Sequence, residues 1–480
     1  MTRYRVRRRR RTRRLVRLVV LALLVAVIVA VALDETARGS HPIVGHTREV
    51  ARPPATAGAA RPRPRAIASA STSPSRLAVP ANGPVATTLQ RRLVAVLSAD
   101  GFLDTDDALC VYDLTTGRLV FARHSSTPLR PASNEKLLTS ATALARWGPA
   151  HRFVTDLYED GVLASDGVFR GSLYLKGYGD PSLATAAYQR SILHLRSARL
   201  TDFVSALKRA GVRRIVGRIV GDATYFDARR TVASWHEDEL DDCGPLSALS
   251  LDEGLDARGS PVKDQALYSA ATLTSLVRRA GIPVSRAPAA GVTPRAATLL
   301  YEDRSAPLAR ILASMNERSD DFFAEMLTKG LGAAFADKGS TAAGVGIERA
   351  YARTQGIASR GVVVADGSGL SYADRETSAD LVRLLVVEAH GVDWPAFYRS
   401  LAVAGKSGTL AARMRHTPAG GNLHAKTGTL DVASSLSGYV TAANGHLLVF
   451  AILMNGDPFD LAAAQHTQDE LGVALARSRG

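Results

Sequence analysis

Residues 108–123 combine runs of apolar side chains with a short polar turn. Residues 108–114 and 118–123 are rich in branched and aromatic side chains, and residues 115–117 (Thr-Thr-Gly) separate them. Two such runs joined by a short turn that contains glycine predict an antiparallel β-hairpin. The next segment, 131–144, has apolar residues at helical spacing behind a proline and a serine, so it predicts a helix.

The other end of the chain repeats this order of hairpin and helix. Residues 435–440 and 446–454 flank Asn444-Gly445, a dipeptide that favours tight hairpin turns. Residues 461–477 then have the apolar spacing of a closing amphipathic helix. A hairpin and a helix at each end predict an α+β fold, in which both ends of the folded body complete one antiparallel sheet.

The region between these ends has a different pattern. Residues of about 156–305 alternate short strand-like stretches, such as 171–176 and 214–220, with single helices, such as 201–210. No regular repeat is present, and we therefore predict an inserted module over 156–305. The main domain would then comprise residues 85–155 and 306–480.

Residues 1–33 have the composition of a targeting segment. Ten arginines and no acidic residue lie between residues 3 and 17, and residues 18–33 are apolar throughout. This pattern predicts a basic cytoplasmic segment over 1–14 and a signal peptide or membrane anchor over 15–33, with export of the remaining chain. The apolar run is slightly shorter than the roughly 20 residues that span a bilayer, and small residues at 30–32 offer a cleavage site, so removal and retention both stay open.

Residues 34–84 are rich in Pro, Ala, Arg, Ser and Thr and lack the branched and aromatic side chains that a core requires. They predict a disordered linker that would hold the folded body away from a membrane. The total length of 480 residues fits such a body of two or three domains.

The net charge of +15 is concentrated at the N-terminus. Residues 1–80 carry 17 of the 60 basic residues and 3 of the 45 acidic ones, which accounts for +14. The remaining chain is nearly neutral, and this argues against a nucleic-acid partner. The only cysteines, Cys110 and Cys243, are too few for a Cys-rich zinc site. After export they could form a disulfide, or they could stay as two buried thiols.

A serine and a lysine lie three residues apart in the predicted helix 131–144. Ser133 and Lys136 would share one face of that helix. A lysine can be the base for a serine nucleophile when burial or a second cation lowers the lysine pKa. Ser205–Lys208 and Ser260–Lys263 have the same spacing, but the first pair lies on the polar face of a helix and the second in a Gly/Pro-rich loop. The pattern therefore favours Ser133.

Two further polar groups occur later in the chain. Ser314-Met315-Asn316 ends the apolar helical stretch 308–313 and by itself is typical of a polar helix end. Lys426-Thr427-Gly428-Thr429 precedes the C-terminal hairpin, where a cation and hydroxyls could hold the carboxylate of an extended peptide. A rival copy, Lys406-Ser407-Gly408-Thr409, is followed by a stretch that predicts a helix, so we favour the later copy.

The joint occurrence of these motifs carries more information than each motif alone. Ser-x-x-Lys, Ser-x-Asn and Lys-Thr-Gly in this order form the acyl-serine constellation of penicillin-binding proteins and β-lactamases. Around them, residues 131–141, 179–183, 366–371 and 425–430 closely resemble low-molecular-mass penicillin-binding proteins of the D-alanyl-D-alanine carboxypeptidase/endopeptidase (DacB-like) family. The resemblance extends over about residues 90–475, and the long interval before Ser314 resembles the insertion that this family carries between its first and second motifs.

The resemblance implies a fold and a set of roles. The fold would be that of the penicillin-binding-protein/β-lactamase-like transpeptidases, an antiparallel five-stranded sheet flanked by helices. A serine would attack the carbonyl carbon between two D-alanines, and the backbone N–H groups of Ser133 and Thr429 would form the oxyanion hole. The implied catalytic residues are Ser133, Lys136, Ser314 and Asn316, and the implied substrate-binding residues are Lys426, Thr427, Gly428 and Thr429.

The same resemblance implies the partners of the protein. They are peptidoglycan stem peptides ending in D-Ala-D-Ala, with β-lactam antibiotics as inhibitors. The protein would bind both outside the cytoplasm, and it would require no metal or cofactor. Two alternatives stay open, namely a β-lactamase or esterase on the same fold and a catalytically silent peptidoglycan-binding protein. One position departs from the family pattern. Many relatives resemble a Ser-Arg pair at the end of this segment, whereas in this chain Tyr372 follows Ser371. The preferred stem-peptide side chain therefore stays open as well.

Overall fold

Two β-sheets with helices packed against them make up the computed structural model, which describes residues 87–99, 101–102, 106–357 and 359–479. The helices are α1 (Thr88–Ala99), α2 (Lys136–Trp147), α3 (Leu200–Arg209), α4 (Gln265–Arg279), α5 (Leu308–Arg318), α6 (Asp321–Ala336), α7 (Thr341–Thr354), α8 (Ser378–His390), α9 (Trp394–Ser400) and α10 (Leu461–Ala476). The strands are β1 (Asp107–Asp113), β2 (Arg118–Arg123), β3 (Val154–Leu163), β4 (Val168–Gly177), β5 (Arg214–Val216), β6 (Ile219–Asp222), β7 (Ala289–Ala290), β8 (Thr298–Arg304), β9 (Ala402–Val403), β10 (His424–Leu430), β11 (Ala433–Thr441) and β12 (Leu447–Asn455). Shorter helical turns cover Ala132–Glu135, Ala186–Tyr188, Gln189–Leu193, Glu237–Glu239, Asp252–Gly254 and Gly408–Leu410.

The first sheet joins the two ends of the folded body. Its strand order is β2-β1-β12-β11-β10-β9, and every neighbouring pair is antiparallel. In the β1–β12 pair, Cys110 lies opposite Ala451 and Val111 lies opposite Phe450. The strand that follows the first described helix is thus hydrogen-bonded to the last strand of the chain.

Both faces of the sheet are buried at β12, and for that reason this strand is apolar from Leu447 to Met454. Successive residues of β12 enter two different cores, with Leu453 facing the core that contains α2, α5, α6 and α8, and Ile452 facing the core that contains α1 and α10. Residues that alternate between the two faces of a strand produce this division. The sheet therefore lies between two layers of helices.

These features confirm the predicted α+β transpeptidase-like fold, both hairpins and the closing helix. The sheet has one strand more than the five expected, because the two-residue strand β9 pairs with the start of β10. Residues 214–220, predicted as one strand, form the separate strands β5 and β6, which both pair in parallel with β4. The break falls at Gly217, where a Cβ atom would lie only 1.7 Å from the Gly171 carbonyl oxygen.

Two helix boundaries differ from the prediction, and both matter for the site. Ser133 does not lie within α2, because residues Ala132–Glu135 form a separate tight turn before it. Helix α5 does not end at residues 314–316, as the sequence predicts, but continues to Arg318. The apolar residues Ile311, Leu312 and Met315 are fully buried, and their packing stabilises the additional turn.

The second sheet occupies the region of the predicted inserted module. Its order is β7-β6-β4-β3-β8, and β5 also pairs with β4. Side chains from β3, β4, α3 and α4, including Leu157, Leu173, Phe203 and Leu273, form a core of their own beside it. The division of the chain into catalytic and inserted domains stays a prediction.

The basic segment 1–14, the signal or anchor segment 15–33 and the linker 34–84 lie outside the residues that the structure describes. Within the described residues, no helix combines the length and the apolar character needed to cross a bilayer.

Both cysteines have free thiols in this structure, and this favours the second of the two alternatives. Cys110 lies on β1 and is 1% exposed, while Cys243 is 6% exposed. Burial raises the pKa of Cys110 to about 12 and the pKa of Cys243 well above its usual value. Because the thiolate is the reactive form, both should react slowly in the folded protein.

We expect iodoacetamide to alkylate neither cysteine in the folded protein and both cysteines after unfolding in denaturant without a reductant. Intact mass measures the number of groups added, and a sample unfolded with reductant is the control. A protein that gains two groups only after reduction would contain the disulfide and would contradict the prediction.

Candidate active site

Ser133 lies in the tight turn that precedes α2. Ala132, just before it, has a left-handed backbone conformation with φ of +48°, which is uncommon for a residue with a side chain. Ala132 is fully buried, whereas Ser133 is half-buried, so the turn presents the serine hydroxyl at the surface of the core. The hydroxyl therefore lies close to the N-terminus of a helix, where partial positive charge favours an anion.

Lys136, the first residue of α2, is completely buried and directs its amine to three acceptors. The Nζ atom lies 3.0 Å from Ser133 Oγ, 2.5 Å from Asp321 Oδ1 and 2.7 Å from the Ser368 carbonyl oxygen. A buried amine without such partners would be strongly unfavourable. The three acceptors come from three separate segments, so the amine ties these segments together beside the serine.

The loop 366–371 holds one of these acceptors in place. Asp366 accepts hydrogen bonds from the backbone N–H groups of Ser368, Gly369 and Ser371 and from the Trp235 indole, at 2.6–3.1 Å. Glu325 of α6 accepts two further bonds, at 2.9 Å each, from Gly367 and Ser368. These contacts fix the Ser368 carbonyl group against Lys136.

The junction of α5 and α6 brings two more side chains to the site. Ser319 ends α5 in a left-handed conformation (φ +59°), and Asp320 caps α6 by accepting a 2.8 Å hydrogen bond from the Phe323 N–H. The chain turns sharply between the two helices. As a result, Ser319 Oγ lies 2.7 Å from Lys426 Nζ, and the Asp321 carboxylate meets Lys136.

Strand β10 closes the site on the other side. Lys426 is fully buried and donates to Ser319 Oγ and to the Thr427 carbonyl oxygen, both at 2.7 Å. Gly428 approaches the serine turn so closely that a Cβ atom there would lie 2.9 Å from Ser133 N and 2.8 Å from the Pro131 carbonyl oxygen. Only glycine permits this approach of the strand to the backbone of Ser133.

The outer edge of β10 beside this contact is open. Strand β9 pairs only with His424 and Ala425, whereas β11 pairs with β10 from His424 to Leu430. Among the residues that the structure describes, no strand pairs with the outer edge from Lys426 onward. Thr429 is exposed there, so an extended peptide could add to this edge next to Ser133.

The expected second motif, Ser314 with Asn316, does not lie at this site. Both residues are in the interior of α5, since that helix continues past them. Ser314 Oγ donates to the Leu193 carbonyl oxygen, and Asn316 Nδ2 donates to Ser140 Oγ and Ser400 Oγ. We therefore replace them by Ser319 and Asp321.

A signal for the missed pair is present in the sequence. Ser319-Asp320-Asp321 has the same Ser-x-polar spacing, and it is followed by the apolar residues Phe322 and Phe323 in the first turn of the next helix. A search restricted to asparagine at the third position passes over it, because aspartate stands there.

The rival motif 406–409 lies beside the chosen one. The Thr427 hydroxyl donates to Thr409 Oγ1 at 2.7 Å, so Thr409 supports the wall of the site. The residues after the rival motif were expected to be helical, but they form only the short turn Gly408–Leu410. Lys406 does not reach Ser133; its aliphatic carbons and amine lie against Gly421.

Tyr372, the residue that departs from the family pattern, lies at the rim of the site. Its ring packs with Ala132 and Leu430, and its centroid is 4.9 Å from that of His236 and 5.6 Å from the Arg130 guanidinium carbon. An aromatic ring therefore covers the serine turn at this position.

The two lysines and the aspartate influence one another electrostatically. Burial and the positive charge of Lys136 together lower the pKa of Lys426 well below its usual value, while Asp321 acts in the opposite direction. Burial raises the pKa of Asp321, and the charges of Lys136 and Lys426 oppose that shift. In the part of the chain described by the structure, no three His, Cys, Asp or Glu side chains are grouped so that they could hold a metal ion.

Comparisons with known proteins agree with this geometry. The model of the D-Ala-D-Ala carboxypeptidase 3 (S13) family matches residues 89–258 and 256–478. The D-alanyl-D-alanine carboxypeptidase of Actinomadura sp. (strain R39) is 31% identical, over 83% of this chain and 86% of the relative.

Solved structures show the same fold. Penicillin-binding protein 4 (dacB) of Haemophilus influenzae superposes with a TM-score of 0.67 at 20% identity, covering 79% of this chain and 97% of that protein. The complex of that protein with a β-lactam superposes with a TM-score of 0.60 at 20% identity, covering 79% and 98% of the two chains.

The family match extends over nearly all of the described residues, and the relative from Actinomadura matches at a similar coverage. The chain therefore belongs to the D-Ala-D-Ala carboxypeptidase 3 (S13) family and is a serine hydrolase of the D-alanyl-D-alanine carboxypeptidase type.

Proposed function

We propose that this enzyme hydrolyses the D-Ala-D-Ala end of peptidoglycan stem peptides through an acyl-enzyme on Ser133. The observation that carries the proposal is the position of Ser133 Oγ, which lies 3.0 Å from the buried Lys136 amine and next to the open edge of β10. A nucleophile, a base and a peptide-binding edge then act on one carbonyl group.

In the acylation step, Lys136 takes the proton of the Ser133 hydroxyl, and the Ser133 oxygen attacks the carbonyl carbon between the two D-alanines. The N–H groups of Ser133 and Thr429 bind the negatively charged oxygen that forms. The approach of Gly428 to Ser133 N supports this role, since it brings the two backbones together. Loss of one such donor typically costs about 3 kcal/mol of transition-state stabilisation.

Collapse of the tetrahedral species releases the terminal D-alanine. Its amine needs a proton as the C–N bond breaks, and Ser319 is placed to relay one: the hydroxyl gives its proton to the amine and takes one in turn from the Lys426 amine that donates to it. A water molecule then attacks the ester on Ser133, and the shortened peptide leaves as a carboxylate.

Lys426 and Thr427 also provide the charge and hydroxyl that bind the C-terminal carboxylate of the substrate, together with Gly428 and Thr429. Burial disfavours the charged form of Lys426, and a carboxylate that binds beside the amine favours that form again by pairing with it. This preference for a free carboxylate supports carboxypeptidase action. β-Lactams, which carry a carboxylate beside a reactive amide, would acylate the same serine and act as inhibitors.

We also propose that residues 15–33 direct the catalytic body out of the cytoplasm, as a cleaved signal or a retained anchor. The arginine-rich residues 1–14 and the apolar run support this role. The location fits a family whose substrate is a cell-wall peptide.

We expect Ser133→Ala to abolish both the benzylpenicillin adduct and the release of D-alanine from a stem pentapeptide, because the attacking oxygen is lost. Intact mass spectrometry measures the adduct. The matched control is Ser205→Ala, from the alternative Ser-x-x-Lys pair, which should label like the parent. Labelling of Ser133→Ala would contradict the proposal, and rapid turnover of the parent adduct would indicate a β-lactamase.

We expect Ser319→Ala to lower kcat/KM for the pentapeptide by about 100-fold or more, the usual size of an acid–base contribution. Ser314→Ala should change kcat/KM by less than about threefold when it is normalised to folded protein, since Ser314 only donates to the Leu193 carbonyl oxygen. The opposite ranking would restore Ser314 to the site.

Lys426→Ala should lower kcat/KM by about 10- to 100-fold, which corresponds to the loss of one charge-assisted hydrogen bond of about 1.5–3 kcal/mol. Lys406→Ala is the control, because it removes the same charge from the rival motif. Steady-state kinetics on the pentapeptide compares the two, and a larger loss in Lys406→Ala would show that the rival motif binds the carboxylate.

A further inference from the structure

The amine of Lys136 meets a carboxylate at the position where the sequence predicted an amide. Asp321 Oδ1 lies 2.5 Å from Lys136 Nζ, and the two side chains are 14% and 0% exposed. An asparagine such as Asn316 would offer an oxygen without charge. The aspartate adds a full negative charge in contact with the base of the reaction, and solvent can screen so buried a pair only weakly.

Other charged groups face this pair from each neighbouring segment. Lys426 lies on β10, Glu239 and Asp242 lie on the segment before Cys243, and Glu325 lies one turn further along α6. The negative charges among them act on Asp321 in the opposite sense to the two lysines. Asp321 Oδ1 is in hydrogen-bond contact with Lys136 Nζ at 2.5 Å, so the carboxylate of Asp321 acts on the amine at contact distance.

We propose that Asp321 is a positioning residue that holds Lys136 as an ammonium in the resting enzyme, so that Ser133 is activated only after the Lys136–Asp321 pair has released a proton to water. The proposal rests on the proposed acylation of Ser133 by way of Lys136. It assigns to this enzyme an acylation step that becomes faster as the pH rises.

The proton balance explains this dependence. The amine can accept the Ser133 proton only through a free lone pair, and in the ion pair that lone pair already carries a proton. An opposite charge within contact distance favours the charged form of its partner, and typically shifts a titration by 1–3 pH units. Removal of the carboxylate charge therefore favours the free amine and should allow acylation at lower pH.

The test compares the second-order rate of acylation by a fluorescent penicillin between pH 5 and 10 in the full-length parent and in Asp321→Asn. The asparagine keeps an oxygen that can accept from Lys136. We expect the midpoint of the rise in rate to move to lower pH by about 1 unit or more. Well below both midpoints, the variant should then label about tenfold faster than the parent.

Two further variants separate charge from structure. Asp321→Ala should show the same downward shift with a lower maximal rate, since it also loses the acceptor that orients the amine, and it keeps the test available if the asparagine variant folds poorly. Asp337→Asn is the matched control, because Asp337 is exposed at the opposite end of α6 and solvent screens its charge. Its midpoint should match that of the parent.

Each outcome decides the proposal. An unchanged midpoint in Asp321→Asn, with or without a lower rate at every pH, would reduce Asp321 to a structural role. An upward shift would mean that Asp321 itself takes the proton from Lys136, and it would also overturn the proposal. Absence of labelling in the parent at every pH would instead count against the acyl-enzyme on Ser133, so the two failures are distinguishable.

Discussion

The burial of the Lys136 amine is the constraint on which the site depends. A lysine with no exposed surface requires acceptors, and the fold supplies them from the serine turn, from the start of α6 and from the loop 366–371. Removal of any of these acceptors would leave a buried polar group with fewer partners, which is costly in an apolar surrounding. The groups needed to satisfy the amine are the same groups that place a base beside a serine, so folding and preorganisation of the site have one cause.

The first sheet provides the frame for this arrangement. Because β1 pairs with β12, the segment that leads into the serine turn is attached to the same sheet that carries β10. The turn and the strand then meet at Gly428, where the absence of a side chain allows contact between the two backbones. Ser435 on β11 reinforces the contact by donating to the Pro131 carbonyl oxygen at 2.6 Å.

Carboxylates buried under the site give the loop 366–371 its rigidity. Asp366 and Glu325 together accept six hydrogen bonds from that loop and from Trp235, and burial raises the pKa of Glu325 well above its usual value. The Trp235 indole comes from the region of the predicted inserted module, and the segment up to Cys243 approaches Asp321. The region between the first two motifs thus contributes groups to the surroundings of the site, even though its own core lies around the second sheet.

The sequence by itself determined the two hairpins, the helices that follow them and the family, and it predicted the serine, the lysine and the Lys-Thr-Gly strand that the structure brings together. These features are local or depend on the order of motifs, so spacing and turn chemistry suffice to find them. Only the tertiary structure decided which polar pair meets Lys136, because Ser314-x-Asn316 and Ser319-x-Asp321 lie five residues apart with the same spacing. The choice depends on how far α5 continues beyond Ile311, Leu312 and Met315, which pack in a core formed with distant parts of the chain. A left-handed residue at Ser319 then turns the next helix so that a carboxylate, and not the expected amide, faces the amine.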